Sequence, residues 1–323
     1  MSAASIWAVA RRRWSVLVLI ALVAFFSAVK PAEFATVFNM RSIAVNASNY
    51  LVLAVGVTFV ITLGGIDLSV GSVLIFSGVV ALRVMVALGG STVAIIAGLV
   101  AAIVAGGVWG VGNGLIITRG KIPALIATLG TFAAAHGTAL VLAGGQDLHG
   151  VPLSLANGLG YGRFLGVPHT VLLALAVALA AAVIMSQTRF GRYTSAIGSN
   201  EEAARRAAIK VDRHIIKVYA LSGLLSGLAG FVSLAQYQTT TLNGHQTDML
   251  LAILAVVIGG TSLSGGHGTV LGSIVGVLIP AVMTAGFVIL GLATFWQEVA
   301  LGLALVVVVI VDQRSRRRET RAG

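Results

Sequence analysis

The chain has 323 residues, of which 58% are hydrophobic and only 10% charged, with a formal net charge of +11 and a mean hydropathy of +1.01. Soluble domains carry about 25% charged residues, so this composition excludes a water-soluble globule and a disordered chain. The 40 glycines and the low aromatic content of 7% favour closely packed transmembrane helices, and the absence of cysteine excludes disulfides, thiolate catalysis and cysteine-ligated metals.

Long uncharged stretches predict the transmembrane helices. A helix needs about 20 apolar residues to cross a bilayer, and the chain divides wherever charges or glycine-rich runs interrupt it. Ten helices are predicted near residues 14–29, 44–63, 69–88, 92–117, 123–143, 168–186, 215–235, 248–262, 268–290 and 294–311. The expected fold class is an all-α polytopic membrane protein of about ten transmembrane helices, with broken helices at glycine-rich inner turns.

Three regions are predicted along the chain. Residues 1–43 hold a basic cytoplasmic segment, the first helix and a short outer interfacial segment at 30–43. No persuasive cleavage site follows the first helix, so we expect it to be retained. Residues 44–312 form the transmembrane domain, and residues 313–323 form a basic cytoplasmic tail.

The placement of basic residues predicts the orientation. With both termini cytoplasmic, 17 of the 21 lysines and arginines fall in inner segments, as the positive-inside rule requires. The exceptions are Lys30, Arg41, Arg83 and Arg163. Because the basic residues are divided among separate loops and tails, the charge predicts membrane topology and contact with anionic lipid, and nucleic-acid binding is not expected.

A glycine-rich run that contains one acidic residue, Asp67, separates the predicted helices 44–63 and 69–88. The run contains Gly64, Gly65, Asp67, Ser69 and Gly71. Asp67 or Ser69 is expected to accept amide hydrogens at the start of the second helix, where the helix dipole favours negative charge. The alternative is that this run lines a permeation path, since irregular backbone at membrane depth persists only when it is buried or faces water.

The ionisable residue that stands out within a span is His136. Such residues are candidates for proton transfer, but a neutral imidazole bonded to a neighbouring carbonyl is the favoured interpretation, because few other titratable groups lie within the spans. The six histidines show no metal-binding spacing, and no metal or cofactor is expected on this chain. Polar residues that a solute might contact are Asn46, Asn49, Thr58, Thr62, Asn113, Gln236, Gln238, Asn243 and Glu298. For each of them singly, a role in tying helices together is favoured.

The inner loop 187–214 is strongly polar and is predicted to contain a short helix over 199–211. Ser199 or Asn200 serves as its N-cap, acids occupy the first turn and bases a later turn, and the acids and bases stand four residues apart. The alanines provide a small flat face suited to docking into a groove of another protein. The predicted docking residues are Gly198, Asn200, Glu201, Glu202, Ala203, Ala204, Arg205 and Arg206. A solvated loop helix without a partner is the equally weighted alternative.

A second glycine-rich run begins within the last turn of the predicted helix 248–262 and continues beyond it. Gly259, Gly260 and Ser264 belong to a Gly-Gly-x-x-Leu-Ser-x-Gly pattern that matches the run around Asp67. Both runs are predicted to lie on the inner side of the membrane.

Taken in order, these segments resemble the permease subunits of sugar-type, ribose-transport-like ABC importers. The matching stretches are Asn49 to Val73, Asn113-Gly114, Pro123 to Thr131, Gly191 to Val211 and Gly259 to Gly266. The chain departs from the family pattern at Ala208, where glycine is common, and at Met249 and Leu251, where acids are common and Asp248 stands nearby.

The resemblance implies a permease that moves a sugar or related polyol inward and catalyses nothing itself. A cytoplasmic ABC ATPase would grip the segment 196–211 and hydrolyse ATP, since the chain has no phosphate-binding loop motif. A periplasmic or lipid-anchored solute-binding protein would dock outside on loops such as 144–167 and 236–247. A second permease chain, as a homodimer or heterodimer, would complete the pore in the bacterial inner membrane.

The residues alone are also compatible with a different class of function. An ion-coupled secondary transporter or a channel works without an ATPase, and for such a protein the helix at 199–211 has no evident use. This helix therefore distinguishes the two hypotheses.

Overall fold

A computed structural model describes residues 3–245, 247–293, 295–304, 306, 307 and 310, with side chains from residue 14 onward. The chain is almost wholly helical within this range. The helices are α1 Ala3–Val29, α2 Pro31–Phe34, α3 Val37–Thr62, α4 Val70–Ala87, α5 Thr92–Thr118, α6 Ala124–Ala143, α7 Leu153–Leu155, α8 His169–Gln187, α9 Arg189–Ser199, α10 Glu201–Arg206, α11 Val211–Tyr237, α12 Asp248–Ile258 and α13 Val270–Ile289. A π-helix spans Ala156–Gly160, and a two-residue antiparallel hairpin pairs β1 Arg163–Phe164 with β2 Val167–Pro168.

Seven helices in the described part of the chain are long and apolar enough to cross a membrane, namely α3, α4, α5, α6, α8, α11 and α13. They confirm the all-α polytopic class. The stretch Trp14–Val29 of α1 and the whole of α12 are shorter apolar helices. The last predicted helix, 294–311, is helical over 295–304, and five of its residues lie outside the described range, as does the tail 313–323.

Two boundary predictions were wrong. The helix predicted from residue 44 already begins at Val37 as α3, within the predicted interfacial segment 30–43, and Thr36 accepts the amide of Asn39 as its N-cap. The predicted helix 248–262 ends at Ile258. At 1.5 Å per residue, the 11 residues of α12 extend about 16 Å, or about half of a hydrocarbon core of about 30 Å.

The packing of α5 against α11 forms the centre of the bundle. A Cβ atom built on Gly106 would overlap the carbonyl of Gly223, and one on Gly227 would overlap the carbonyl of Ala102. The two backbones therefore approach so closely that only glycine fits between them. This contact confirms the close helix packing that the glycine content predicted.

The bundle has two ends that carry different loops. At the end that carries α10, here called the α10 end, Thr62 meets Gly198 and Gly266. At the opposite end, loop 144–167 meets loop 236–247, where the amide of Thr240 donates to the carbonyl of Leu148 at 3.0 Å. Phe26, late in α1, packs on Gly286, late in α13, so α1 runs parallel to α13 and starts at the α10 end.

Candidate functional site

Local interactions that the sequence predicts hold α10 together. The side-chain oxygen of Asn200 accepts the amide of Ala203 at 2.9 Å, so Asn200 and not Ser199 is the N-cap. The two predicted ion pairs form along the exposed side, Glu201 with Arg205 and Glu202 with Arg206. The helix ends at Arg206 and not near residue 211 as predicted.

A further ion pair anchors α10 to the bundle. Arg205 also donates to Asp212 in the first turn of α11, at 2.5 Å. Hydrogen bonds to Asp212 and Glu201 raise the pKa of the Arg205 guanidinium, which therefore stays charged at all physiological pH values. Ala204 is buried against the bundle, whereas Ala203 is exposed beside the charged side chains.

The backbone at the end of α10 explains why glycine is well suited to the position that Ala208 occupies. The amide of Ile209 donates to the carbonyl of Ala204, and that of Ala208 donates to the carbonyl of Arg205. These two bonds form a Schellman motif, in which the residue at the position of Ala208 adopts left-handed backbone angles. Ala208 has a φ of 60°, a conformation that glycine adopts at less cost.

The end of α9 meets both glycine-rich runs at one point, here called the glycine junction and formed by Thr62, Gly64, Gly198, Gly265 and Gly266. A Cβ atom on Gly198 would overlap the Thr62 carbonyl oxygen and lie 2.6 Å from the Gly266 amide nitrogen. A Cβ atom on Gly265 would lie 2.9 Å from the Gly64 amide nitrogen. Both runs thus lie at the same end of the bundle, and α10 follows directly from the junction.

Asp67 lies buried behind this junction, with 2% of its surface exposed. Its Oδ1 accepts the amide of Ser69 at 3.0 Å and the Ser69 hydroxyl at 2.6 Å, and its Oδ2 accepts the Ser222 hydroxyl at 2.9 Å. Asn113 donates to the Ser69 hydroxyl at 2.8 Å. The carboxylate accepts the amide of Ser69, the residue before α4, and Ser69 makes no side-chain hydrogen bond to the first amides of the helix, so the predicted cap is reduced to this one bond. The carboxylate also connects Ser69 to Ser222 of α11.

The remaining residues of the two runs are dispersed. Gly65 contacts the hydroxyl of Tyr219, and Gly259 packs on the backbone of Gly272. Gly260 faces open space and Ser264 is exposed, so the structure does not bring these two into the junction.

A polar cavity of about 160 Å³ lies between α3 and the loop that leads into α12. The described residues that line it are Asn46, Asn49, Tyr50, Tyr237, Thr241, Gly244, His245 and Asp248. A Cβ atom on Gly71 would lie 2.7 Å from the carbonyl oxygen of His245. The start of α4 therefore touches the cavity wall, so the run around Asp67 reaches the cavity through its last glycine.

His245 belongs to a buried chain of hydrogen bonds. Its Nδ1 donates to Asp248 Oδ2 at 2.7 Å, and its Nε2 lies 2.7 Å from the Ser233 hydroxyl oxygen. Hydrolases use the same three residue types, but here Ser233 stands within helix α11, beside a space of about 10 Å³. Such a space holds about one water molecule, and the two hydrogen bonds fix the orientation of the His245 ring between Ser233 and Asp248.

The sequence did not single out His245 and Asp248 as a pair. The signal available was their spacing of three residues at the start of an apolar run, which places both on one side of a helical turn. Of the other polar residues, Thr58 bonds Ser273 at 2.7 Å and Asn113 bonds Ser69, so both tie helices together as predicted. His136 bonds the carbonyl of Leu242 at 3.1 Å, in agreement with the favoured interpretation.

Comparison with known proteins gives a consistent result. Residues 39–311 match the family model described as branched-chain amino acid transport system / permease component. The ribose import permease protein RbsC of Escherichia coli K12 is 36% identical over 94% of this chain and 94% of its own length. RbsC of Bacillus subtilis 168 is 37% identical over 85% of this chain and 83% of its own, and the L-arabinose ABC transporter permease protein AraH of Azospirillum brasilense is 34% identical over 98% and 91%. No solved structure matches the chain.

Proposed function

The chain belongs to the family of branched-chain amino acid transport system / permease components, and on that premise we propose that it forms the translocation pathway for a sugar or related polyol. It is the permease subunit of an ABC sugar importer in a bacterial plasma membrane. The observation that carries this function is the identity of 34–37% to ribose and arabinose permeases over most of each chain.

The α10 end is proposed to face the cytoplasm. Nine lysines and arginines lie there on the loops and helix ends between residues 119 and 217, whereas the opposite end carries Lys30, Arg41, Arg83 and Arg163. The positive-inside rule supports this orientation. The first described residues of α1 then also lie on the cytoplasmic side, and the predicted tail at 313–323 is proposed to join them.

The ATPase subunit is proposed to bind α10. This helix exposes charged side chains and small alanines, and it connects to the bundle through Arg205 and the glycine junction. A movement of α10 is therefore passed to the ends of α3 and α13. ATP is bound and hydrolysed by that partner, and this chain is proposed to have no catalytic activity of its own.

The solute-binding protein is proposed to dock at the opposite end of the bundle. There the two predicted docking loops form one surface, because Asp147 accepts the amide of Leu242 at 2.8 Å and Gln238 donates to the Tyr161 hydroxyl at 2.7 Å. A second permease chain, identical or closely related, is proposed to complete the pore, and the family membership supports it.

Lipid is proposed to cover the outer face of α5. Ile96, Val100, Val104 and Val108 recur every four residues on this helix, and each is more than half exposed. An exposed apolar stripe of this length suits hydrocarbon contact.

The competing substrate class is the branched-chain amino acid named in the family description. Such a solute carries a carboxylate and an ammonium group, and the described lining of the cavity includes no lysine or arginine to pair with the carboxylate. The cavity therefore favours an uncharged solute.

The test is solute uptake by proteoliposomes that contain the purified chain, its ATPase and its binding protein. Radiolabelled D-ribose, D-allose and L-arabinose are offered with leucine as the comparison. Accumulation of one of the sugars is expected, and accumulation of leucine alone contradicts the sugar assignment.

A further inference from the structure

We propose that the polar cavity between α3 and α12 is a binding site for the uncharged, hydroxyl-rich solute, so that the permease itself contacts its cargo within the helix bundle. This inference rests on the proposed function and adds where and by which groups the solute is held.

The cavity extends from the loop 236–247, at the end of the bundle opposite α10, to the middle of α3. Asn49 stands at the middle of α3, which is long enough to span the membrane, and Asp248 begins the half-length helix α12. A half-helix whose start is buried at this depth leaves non-helical backbone within the membrane. Such backbone is tolerated where protein covers it or where it lines a path for solute.

Two residues that line the cavity each carry a buried polar atom without a hydrogen-bond partner in the described structure. Asn49 is 3% exposed, and its amide nitrogen donates to Gln236 at 2.7 Å while its Oδ1 is unpaired. The hydroxyl of Thr241 is also buried and unpaired. Leaving such atoms unpaired is costly, and a ligand that donates and accepts hydrogen bonds removes the cost.

The charges at the cavity oppose an ionic ligand. Asp248 contributes one carboxylate, and one of its oxygens already accepts the imidazole of His245. The described lining offers no cationic lysine or arginine to an anion, and one carboxylate satisfied by a histidine is a poor site for a free cation. Hydroxyl groups match the lining instead, because they donate to Asn49 Oδ1 and exchange hydrogen bonds with Thr241.

Two aromatic residues supply the remaining wall. Tyr50 and Tyr237 line the cavity, and the ring of Tyr237 lies 5.8 Å from that of His245 in an edge-to-face arrangement. A tyrosine offers an apolar ring face together with a hydroxyl. A sugar, which has a C–H face and a rim of hydroxyls, is complementary to such a wall.

Matched valine variants test the site in the complete transporter. Thr241→Val removes the unpaired hydroxyl at the cavity, whereas Thr170→Val removes an equally unpaired, buried hydroxyl on α8 that does not line it. We expect Thr241→Val to raise the KM for sugar uptake or to lower its rate about fivefold, the factor that corresponds to one net hydrogen bond. Thr170→Val is expected to keep wild-type uptake.

The absence of natural cysteine allows a direct readout of occupancy. Thr241→Cys is labelled with a small thiol reagent in the reconstituted complex during ATP-driven turnover. The transported sugar is expected to slow this labelling, and leucine, the comparison solute, is expected to leave it unchanged.

Each outcome decides the matter. Equal uptake by the two valine variants, together with sugar-independent labelling of Thr241→Cys, overturns the site while wild-type uptake keeps the proposed function intact. If the wild type accumulates no sugar, the proposed function fails and the site fails with it. If Thr241→Val does not assemble with the ATPase, Tyr237→Phe replaces it in the same uptake comparison.

Discussion

The backbone amide of Gly266 donates a hydrogen bond of 2.8 Å to the carbonyl oxygen of Thr62. This bond joins the end of α3 to the run that leads into α13, and Gly198 at the end of α9 lies against both. Because the contacts are between backbones, no side chain can bend away to absorb a displacement. The glycine junction therefore connects the α10 surface to two helices of the bundle, one of which lines the polar cavity.

The first prediction concerns Gly198. Gly198→Ala places a Cβ atom into the Thr62 carbonyl, and overpacking of this kind costs about 1–3 kcal/mol. We expect a lower midpoint of thermal unfolding and a loss of sugar uptake that exceeds the loss of ATPase binding. Gly130→Ala is the control, since a Cβ atom there meets nothing within 4 Å. A Gly198→Ala transporter with wild-type uptake and stability contradicts the role of the junction.

The second prediction separates the charge of Asp67 from its hydrogen bonding. Asp67→Asn keeps one oxygen for the Ser69 amide, and its new amide group donates to the Ser222 hydroxyl, so the variant is expected to fold and transport. Asp67→Ala leaves the Ser69 amide and two hydroxyls without their acceptor, at a cost of about 1–3 kcal/mol for a buried unpaired group. Thermal unfolding and sugar uptake measure both effects. If Asp67→Asn is as damaging as Asp67→Ala, the negative charge is required and the capping role is insufficient.

The third prediction is a stabilising substitution. Ala208 has a φ of 60°, where an L-residue other than glycine is strained by about 1–2 kcal/mol. After the greater flexibility of glycine in the unfolded chain is counted, Ala208→Gly is expected to stabilise the protein by up to about 1 kcal/mol. Its neighbour Ala207 has a φ of −79°, so Ala207→Gly is expected to destabilise. Shifts of the same sign in the two unfolding midpoints refute this account of the α10 end.

The fourth prediction tests the docking surface. Reversing the charges of Glu201 and Glu202 to lysine removes two exposed ion pairs, each worth about 0.3–0.5 kcal/mol, so folding is expected to persist. Copurification of the ATPase is expected to fall about tenfold, because the two side chains presented to the ATPase change from negative to positive charge. Glu33→Lys, an exposed reversal at the opposite end, is the control. Unchanged copurification for the α10 variant removes these acids from the interface.

Elements that depend on local interactions could be predicted from the sequence. The Asn200 cap and the two pairs in α10 connect residues three or four apart, and both are present. The uncharged stretches predicted ten helices, and seven of these are present as full-length spans in the described residues, because about 20 apolar residues have few alternatives to a membrane helix.

Features made by residues distant in the chain could not be predicted in this way. The bond between Asn49 and Gln236 joins positions 187 residues apart, and the bond between Thr62 and Gly266 joins two glycine-rich runs whose similarity did not imply contact. The start of α12 was predicted, but its end was placed at residue 262 and not at Ile258, because the turn at Gly259 and Gly260, where Gly260 has a φ of 92°, ends the helix before the rest of the glycine-rich run.

The most direct test of the importer account is the source of energy for uptake. Proteoliposomes that contain the chain, its ATPase and its binding protein receive either ATP or a proton or sodium gradient, and sugar accumulation is measured. We predict accumulation with ATP, none with either gradient, and none when the ATPase is omitted or its nucleotide site is inactivated. Accumulation driven by an ion gradient without the ATPase contradicts the account.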